Sequence, residues 1–483
     1  MKTLLVLPNS KFVVASVPLG PLYLAAYLRS KEHSDISVID ARHERLSDKA
    51  LSRRIKAISP DMVGISGLSM EFAEVHRLAG LAKEINPSCT VIVGGPYATS
   101  SPEHIMKDPN VDFAVIGEGE RTALRLISAL ENGKDFSQID GLAYKNNQGC
   151  VINPVGTMIE ELDTIPFPAW DLINVEEYFN DTHNHSQTPV PTSDRIMPLF
   201  TSRGCPYRCT YCHNIFGKKI RFRSVGNVIE EIESLVKNYG VQEIEVVDDC
   251  FNFDLTRAKA ICDEIVRRNI KIAISFPNGL RVDRMDEELI VKLKQAGTRV
   301  IFYAIESASP AVQQRIKKNL DLEKARKIIA ETAKQSIITC GYFMLGFPGE
   351  TKEEMLQTLR FAKESELHLA NFFYLIPQPS TEIFNELNRE NVKLKKIGVY
   401  TYHDLSTNVT SLSERELRKM QARLFREFYL KPHRMWQIWK ILPNKTEIIR
   451  KFFRVLVHAA AVDMGKWRII LILYGTILKI MLP

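Results

Sequence analysis

The sequence predicts an α/β protein in which a doubly wound, flavodoxin-like domain is followed by a partial (β/α)6 barrel and a helical tail. Two observations lead to this prediction: short apolar runs alternate with helix-length segments over residues 3–132, and the same alternation restarts at Met197. Strands that alternate with helices of this length pair in parallel through right-handed crossovers. We therefore expect a first domain at 1–135, a connector at 136–192, a barrel at 193–400 and a helical, basic extension at 401–483.

Five predicted strands build the first domain. Helix-length segments separate them, as is typical of a flavodoxin-like sheet, which binds ligands at the carboxyl ends of its strands. The predicted strands are Thr3–Leu7, Ile36–Ile39, Met62–Ser66, Thr90–Val93 and Phe113–Ile116.

Six further strands are predicted from Met197 onward, which is too few to close an eight-stranded barrel. Functional groups of βα barrels lie on the loops at the carboxyl ends of the strands, so we expect the site on these loops. The predicted strands are Pro198–Thr201, Glu243–Val247, Ile272–Phe276, Arg299–Ile305, Ile337–Leu345 and Ala370–Leu375.

The loop after the first barrel strand carries three cysteines at C-x3-C-x2-C spacing, Cys205, Cys209 and Cys212. Three thiolates on one short loop can bind three irons of a [4Fe–4S] cluster, which leaves the fourth iron open to an outside ligand. The alternative is a zinc knuckle. Zinc usually takes four ligands in closely spaced pairs, and no second pair lies nearby, so the spacing favours the cluster.

This loop resembles the signature of the radical S-adenosylmethionine (SAM) superfamily, in which the open iron binds the amino and carboxylate groups of SAM. The resemblance implies that Tyr211, just before the third cysteine, lies near the adenine. Two later strand ends, Ala304-Ile-Glu-Ser-Ala-Ser and Leu345-Gly-Phe-Pro-Gly-Glu, are also similar to family motifs. They imply that Glu306 binds the ribose hydroxyls and that Gly346 lines the adenosine pocket.

Two more SAM contacts are predicted at the ends of the second and third barrel strands. Asp249, in Asp248-Asp-Cys-Phe, is predicted to contact the SAM amino group or ribose, and the alternative is a carboxylate pair that caps the next helix. Arg281 is predicted to face the SAM carboxylate or a carboxylate of the protein. Cys250 is expected near the site, with a redox or radical role as one alternative, and Cys340 is expected in the core.

Glycine-containing turns follow three strands of the first domain. Each alone is an ordinary tight turn, but three on one edge favour a ligand site, because glycine lets the backbone approach a bulky ligand. Together with Pro18-Leu-Gly, they resemble the cobalamin-binding domain that precedes many radical SAM domains, over about residues 1–135. The resemblance implies cobalamin contacts from Gly20, Ser66, Leu68, Gly94, Gly95, Tyr97, Gly117, Glu118 and Gly119.

The D-x-H-x-x-G motif, which supplies a cobalt-ligating histidine in other cobalamin proteins, is absent from the sequence. Many cobalamin-dependent radical SAM enzymes also lack it, so the resemblance holds without it. The nearest match is Asp40-Ala-Arg-His, with the wrong spacing, and we expect His43 to be a surface residue. His183 and His185 are expected in a solvated loop of the connector, and for His213 a structural role and a place at the site are alternatives.

The resemblance implies a [4Fe–4S] cluster, SAM and cobalamin as cofactors, with reductive cleavage of SAM to a 5′-deoxyadenosyl radical. C-methylation of an unactivated carbon is the predicted outcome. A cobalamin-dependent radical cyclase or oxidoreductase is the alternative within the class, and a non-catalytic corrinoid or redox sensor is the alternative outside it. A methylthiotransferase is disfavoured, because that family carries three more cluster cysteines in its N-terminal domain, whereas only Cys89 lies within residues 1–140 here. The predicted partners are a small-molecule or lipid-like substrate and an electron donor of the flavodoxin or ferredoxin type.

Composition and charge predict the location. The five cysteines outside the loop show no framework spacing and the sequence starts with no signal peptide, which predicts a cytoplasmic protein. From Lys431 onward ten Lys and Arg stand against two acidic residues, whereas the whole chain carries +7, so residues 1–430 are close to neutral. The last apolar run is too short to span a bilayer, so the basic tail is predicted to bind a membrane surface, with a helical cap on the barrel as the alternative. Its basic residues interleave with apolar runs, so nucleic acid is not an expected partner.

Overall fold

The structure is a computed structural model that describes residues 1–10, 16–133, 135–181, 186–188, 190–212, 215–390, 392 and 405–441. His183, His185 and His213 lie outside the described residues, and so does the basic tail beyond Ile441.

Seven strands form the sheet of the first domain. They are β1 (Thr3–Leu7), β2 (Ile36–Asp40), β3 (Met62–Ser66), β4 (Thr90–Gly94), β5 (Phe113–Val115), β6 (Leu142–Asn146) and β7 (Gly149–Ile152). Their order is β2-β1-β3-β4-β5-β6-β7, and the first five are parallel. This is the order of a doubly wound flavodoxin-like sheet, so the predicted fold of the domain is confirmed.

A hairpin in the connector, formed by β6 and β7, extends the first sheet. Strand β6 pairs antiparallel with β5, so that Phe113 lies opposite Tyr144. The connector returns to the same domain further on, where the Tyr178 hydroxyl donates a 2.9 Å hydrogen bond to the carboxylate of Asp40. The connector is therefore packed on the first domain over much of its length.

Six parallel strands form the barrel sheet, and a two-stranded ribbon follows the first of them. The sheet strands are β8 (Ile196–Leu199), β11 (Glu243–Val246), β12 (Ala273–Leu280), β13 (Thr298–Glu306), β14 (Ile338–Leu345) and β15 (Leu369–Tyr374), and the ribbon strands are β9 (Ser202–Arg203) and β10 (Arg221–Phe222). The sheet order is β8-β11-β12-β13-β14-β15, which follows the chain and confirms the predicted partial barrel of six βα units.

Helices cover both sheets among the described residues. In the first domain and connector they are α1 (Leu19–Arg29), α2 (Asp48–Ile58), α3 (Phe72–Ile85), α4 (Gly95–Ser100), α5 (Pro102–Ile105), α6 (Gly119–Asn132) and α7 (Val175–Asn180). In the barrel they are α8 (Val225–Tyr239), α9 (Leu255–Arg267), α10 (Glu287–Gln295), α11 (Pro310–Arg315), α12 (Leu322–Lys334), α13 (Lys352–Glu364) and α14 (Glu382–Arg389). The C-terminal helices are α15 (Glu414–Tyr429) and α16 (Pro432–Ile441).

Helices α15 and α16 cover the edge strand of the barrel. Gln421 donates to the carbonyl of Phe372 at 2.8 Å, and the Tyr429 hydroxyl donates to the carbonyl of Ala370 at 2.9 Å. The buried guanidinium of Arg434 donates to the carbonyls of Lys363, in the last turn of α13, and of Ser365, just after it. Up to Ile441 the C-terminal extension is thus a helical cap on the barrel, which was one of the two predicted alternatives. No helix within the described ranges is both long and apolar enough to cross a membrane.

Candidate active site

Backbone hydrogen bonds fix the cysteine loop at several points. Gly204, at its start, has φ +93°, and a Cβ there would lie 2.4 Å from a backbone carbonyl oxygen, so glycine is required. The amide of Cys205 donates to the carbonyl of Gly217 at 3.2 Å, and the amide of Thr210 donates to the carbonyl of Ile316 at 3.1 Å. The loop is therefore hydrogen-bonded both to the segment that follows it, at Gly217, and to the fourth βα unit of the barrel, at Ile316.

Asp248 organises the entrance to this loop. Its buried carboxylate accepts hydrogen bonds from the amide and hydroxyl of Thr201, at 2.6 and 2.5 Å, and from the Ser202 hydroxyl at 2.6 Å. Arg257 donates to the carbonyl of Thr201 at 2.7 Å. The helix after Asp248 is capped instead by Asp254, so the capping alternative does not describe Asp248. Its position between β8 and the loop makes it a support for the cysteines.

The thiols of Cys205 and Cys209 are partly exposed, and that of Cys212 is exposed. Among the described residues no three side chains are arranged to bind a single metal ion. A cluster does not need such a group, because each thiolate binds a different iron. Three reachable thiols on one restrained loop therefore fit a [4Fe–4S] cluster.

A fourth cysteine, Cys250, lies against this loop. It is 3% exposed, and its thiol shares a hydrogen bond with Cys205, which lowers the pKa of Cys205 to about 7. Cys250 is therefore close to the expected cluster, as predicted. Cys340 is fully buried in strand β14, which confirms its expected place in the core.

Glu306, at the end of β13, is connected to Tyr211 by a lysine side chain that hydrogen-bonds to both. The Lys318 ammonium donates to the Glu306 carboxylate at 3.2 Å and to the Tyr211 hydroxyl at 3.3 Å. Glu306 has φ +67°, a backbone conformation that costs free energy for any residue with a side chain and that recurs at functional sites. The Tyr211 ring packs edge-on against Phe347, with the ring centroids 5.8 Å apart. The structure thus brings the predicted adenine and ribose contacts together.

The loop after β14 is closed by its own glutamate. Gly346 has φ +93°, and its amide donates to the carboxylate of Glu350 at 2.7 Å, as does the amide of Phe347 at 3.2 Å. Glu350 is fully buried, and burial raises its pKa to about 8. Thr351 caps helix α13 in a capping box with Glu354. Gly346 therefore lies in a rigid turn whose next residue touches Tyr211.

Arg281 lies under the cysteine loop. Its guanidinium is 3.8 Å from the centroid of the Tyr207 ring, pairs with Asp283 at 2.8 Å and donates to the carbonyl of Lys318 at 2.7 Å. Its carboxylate partner within the protein is Asp283, and a contact with the SAM carboxylate stays a prediction. Asp249 is exposed to solvent beside the loop, where the amide of Gly204 hydrogen-bonds to its carboxylate.

The predicted corrinoid turns meet at one edge of the first sheet. The amide of Gly67 donates to the carbonyl of Gly94 at 3.4 Å, and the amide of Gly117 donates to a threonine hydroxyl of α4 at 3.0 Å. Gly95 has φ +81°, and a Cβ there would lie 3.0 Å from the hydroxyl oxygen of Ser66. Leu68 and Gly119 belong to the same turns, and Gly20 is exposed at the start of α1. A Cβ at Gly20 or Gly94 would meet no atom within 4 Å, so the backbone at this edge is open to the approach of a bulky ligand.

Tyr97 points away from that edge into the domain. Its side chain is fully buried, and its hydroxyl lies 2.9 Å from His76 Nε2 and 2.5 Å from His104 Nδ1. His76 in turn lies 2.6 Å from the carboxylate of Asp108. Tyr97 therefore supports the turn from behind.

His43 is buried, which corrects the expectation that it lies on the surface. It is 8% exposed and stacks on the Tyr178 ring, with the centroids 3.8 Å apart. The connector helix α7 supplies Tyr178 and so covers the histidine, an arrangement that the local sequence around His43 does not encode.

Glu118, predicted as a cobalamin contact, joins the first domain to the barrel. Its carboxylate accepts from Arg203 at 3.1 Å and from Arg221 at 2.9 Å, and Glu120 accepts from Arg203 at 2.8 Å. All four side chains are at most 7% exposed. Arg203 stands two residues before Cys205. This buried network therefore links the edge of the first sheet that carries the predicted corrinoid turns, which we call the corrinoid edge, directly to the cysteine loop.

Comparison with known proteins agrees with this geometry. The profile of the Radical SAM superfamily matches residues 199–362, and that of the B12 binding domain matches residues 9–127. The uncharacterized methyltransferase PH0819 of Pyrococcus horikoshii is 33% identical over 89% of this chain and 93% of its own length. The chain belongs to the cobalamin-binding radical SAM family. As a member, this radical SAM enzyme uses a [4Fe–4S] cluster, SAM and cobalamin.

Other relatives of this radical SAM enzyme carry two kinds of name. Cytidylyl-2-hydroxyethylphosphonate methyltransferase of Streptomyces wedmorensis is 30% identical over 85% of this chain and 86% of its own. The anaerobic magnesium-protoporphyrin IX monomethyl ester cyclase of Rubrivivax gelatinosus is 26% identical over 89% and 78%. The solved structure of the cobalamin-dependent SAM radical enzyme OxsB shares the fold, with a TM-score of 0.73 at 16% identity over 99% of this chain and 75% of that chain.

Sequence reasoning missed two residues of this radical SAM enzyme. Lys318 bridges Glu306 and Tyr211, and Arg221 binds Glu118. Neither residue stands in a recognisable motif. Tyr211 and Glu118, their respective partners, are about a hundred residues away in the sequence and come close only in the folded chain. The buried charge of Glu306 was the available signal, because a buried carboxylate requires a cation or several donors.

Proposed function

We propose that this enzyme transfers a methyl group from SAM, by way of cobalamin, to an unactivated carbon of its substrate. The observation that supports the proposal is the buried link from the corrinoid edge to the cysteine loop, in which Glu118 and Glu120 bind Arg203. Such a link would hold the two proposed cofactor sites against one another, as a substrate placed between them requires. Bound there, the cluster supplies the electron that cleaves SAM, and the corrinoid supplies a carrier for the methyl group.

The residues of the chain have separate roles in this proposal. Cys205, Cys209 and Cys212 bind the cluster. Glu306 holds the ribose hydroxyls, and Tyr211 lies against the adenine. Radical chemistry of this kind needs positioning and the exclusion of water more than a general acid or base.

Three further residues are proposed to act at the SAM site. Asp249 meets the SAM amino group or ribose from beside the loop. Arg281 acts on SAM by orienting the loop through Tyr207, and Gly346 bounds the adenosine pocket. The rigid turn around Gly346 supports this role, since its neighbour already packs on Tyr211.

The proposed corrinoid contacts are backbone groups of the strand-end turns. Ser66, Leu68, Gly94, Gly95 and Gly117 supply a backbone cradle, since these turns are hydrogen-bonded into one edge. In this proposal Gly20 and Gly119 bound the cradle, while Tyr97 and Glu118 position it from behind and from the barrel side.

Methyl-labelled SAM tests the reaction class. Enzyme reconstituted anaerobically with iron, sulfide and hydroxocobalamin is reduced and incubated with extract as the source of substrate. Methyl transfer predicts S-adenosylhomocysteine and 5′-deoxyadenosine in similar amounts, with the label in a product. Cys209→Ala should form no 5′-deoxyadenosine.

Two results would contradict the proposal. 5′-Deoxyadenosine without S-adenosylhomocysteine or labelled product would assign a radical cyclase, as the cyclase-named relative suggests. Failure to form 5′-deoxyadenosine with iron and cobalt fully bound would favour the corrinoid sensor.

Location and substrate class complete the proposal. We propose a cytoplasmic enzyme whose basic tail, residues 442–483, binds an anionic membrane surface and thereby favours a lipid-like substrate. The tail lies outside the described residues, so the support for this proposal is its sequence, which has more Lys and Arg than acidic residues. Full-length protein should pellet with anionic liposomes, while a version ending at Ile441 should not. Equal pelleting of both would contradict membrane binding by the tail.

A further inference from the structure

Each reductive cleavage of SAM consumes one electron that must enter the enzyme from outside. The three loop cysteines are the only ones of the eight that stand together at a partly exposed site, apart from buried Cys250. Cys89, Cys262 and Cys340 are buried at separate places, and Cys150 is exposed in the hairpin of the first sheet. The cysteines thus provide for one cluster and no relay, so the electron has to reach the cysteine loop itself.

The outer side of that loop is surrounded by exposed cations. Arg208 is exposed next to Tyr207 in the chain, and the Lys218 ammonium donates to the Tyr207 carbonyl at 2.8 Å. Arg284 donates to the Tyr207 hydroxyl at 3.0 Å. Lys324 donates at 2.7 Å to the carbonyl of Asp283, the residue before Arg284. These four cations form what we call the loop patch.

Within the described part of the chain, no carboxylate pairs with the loop patch. None of its four cations has a carboxylate of the described residues within 4.0 Å, although the exposed Asp249 lies close enough to Lys218 for the two charges to attract. By contrast, Lys219 pairs with Glu160 at 2.6 Å and Lys317 with Glu382 at 2.5 Å. Residues 1–430 are close to neutral overall, so the patch is a local feature and not a consequence of a basic chain. Unpaired cations on one surface attract a partner of opposite charge and speed its association.

We propose that the loop patch is the docking surface for an acidic, one-electron donor protein that reduces the cluster. The donor loses one electron and the cluster gains it, with no proton or group transferred. Tyr207 is two residues from both Cys205 and Cys209, so a protein seated on the patch lies next to two cluster ligands. This inference rests on the proposed function, because it concerns the electron that SAM cleavage needs.

A comparison of two reductants on the holoenzyme tests the docking surface. Arg284→Glu/Lys324→Glu reverses the two charges of the patch that lie outside the cysteine loop, and Lys49→Glu/Lys56→Glu makes the same change on exposed positions of α2 in the first domain. We measure the Kd of a flavodoxin for each holoenzyme, and the 5′-deoxyadenosine formed with reduced flavodoxin or with dithionite. The patch variant should bind flavodoxin about tenfold more weakly and lose flavodoxin-driven cleavage in proportion, with the dithionite rate unchanged.

The control variant should match the wild type with both reductants, and added salt should weaken flavodoxin binding to the wild type more than to the patch variant. Unchanged flavodoxin binding by the patch variant would overturn the inference. An equal loss of cleavage activity with both reductants would also overturn it, because the patch would then belong to the SAM site. A variant that lost only its binding to anionic vesicles would overturn it as well. If dithionite drives no cleavage in the wild type, the proposed function fails, while the comparison of Kd values still decides the docking surface.

Discussion

The Lys318 ammonium lies 3.2 Å from the carboxylate of Glu306, and both side chains are at most 10% exposed. The same ammonium reaches the Tyr211 hydroxyl, so one lysine joins a strand end to the cysteine loop. Buried charges that lose their partner are costly, whereas a pair removed together costs less. Lys318 therefore pairs with Glu306 and keeps its side chain in place at the site proposed for the ribose.

Lys318→Met should destabilise the fold by about 3 kcal/mol, because Glu306 is left as a buried, unpaired carboxylate. The double variant Lys318→Met/Glu306→Gln should recover much of that loss, although both variants should lose affinity for SAM. Urea unfolding and equilibrium SAM binding measure the two effects. Equal stability of the single and double variants would show that the pair carries no coupling.

Neighbouring aspartates should differ in their effect on iron and SAM. Asp248→Asn replaces an acceptor of three hydrogen bonds at the loop entrance, so it should lower both stability and the iron bound after reconstitution. Asp249→Asn changes an exposed side chain, so it should retain iron and weaken SAM binding. Iron analysis and SAM titration of the two isosteric variants separate the roles. Loss of iron in Asp249→Asn with full iron in Asp248→Asn would reverse the assignment.

The buried Glu350 should make stability depend on pH. Burial raises its pKa to about 8, with Glu354 raising it further and Arg315 lowering it. The folded chain thus keeps a proton that the unfolded chain releases above about pH 4.5, so this group favours folding below that pH and loses its contribution as pH rises toward 8. Glu350→Gln should remove this loss and gain stability relative to the wild type between pH 5 and 8, by up to about 1.4 kcal/mol per pH unit.

Glu354 provides a control of opposite sign. Its partner Arg315 and the capping contact with Thr351 hold its pKa below the usual value despite partial burial, so its contribution is present at neutral pH and lost in acid. Glu354→Gln should therefore be most destabilising near neutral pH. Chemical denaturation at a series of pH values measures both variants, and a Glu350→Gln curve parallel to the wild type would contradict the raised pKa.

The sequence predicted the strands well, because each is an apolar run with its own turn signals. All eleven parallel strands lie within a few residues of their expected places. The cysteine loop and Glu306 were predictable for a related reason, since their spacing and strand-end positions are local features. By contrast, the roles of Glu118 and His43 depend on Arg203, Arg221 and Tyr178, which are distant in the chain. Local pattern cannot identify such partners.

The buried network between the domains should matter far more than an exposed ion pair nearby. Glu118→Gln leaves Arg221 and Arg203 short of a buried counter-charge, and it should cost about 3 kcal/mol of stability. Arg125 pairs with Asp140 at 3.3 Å with both side chains more than half exposed, so Arg125→Gln should cost less than about 1 kcal/mol. Because Arg203 leads into the cysteine loop, Glu118→Gln should also lower iron and cobalt together after reconstitution. Metal analysis checks this: loss of cobalt alone would make Glu118 a corrinoid contact with no role in coupling the two domains.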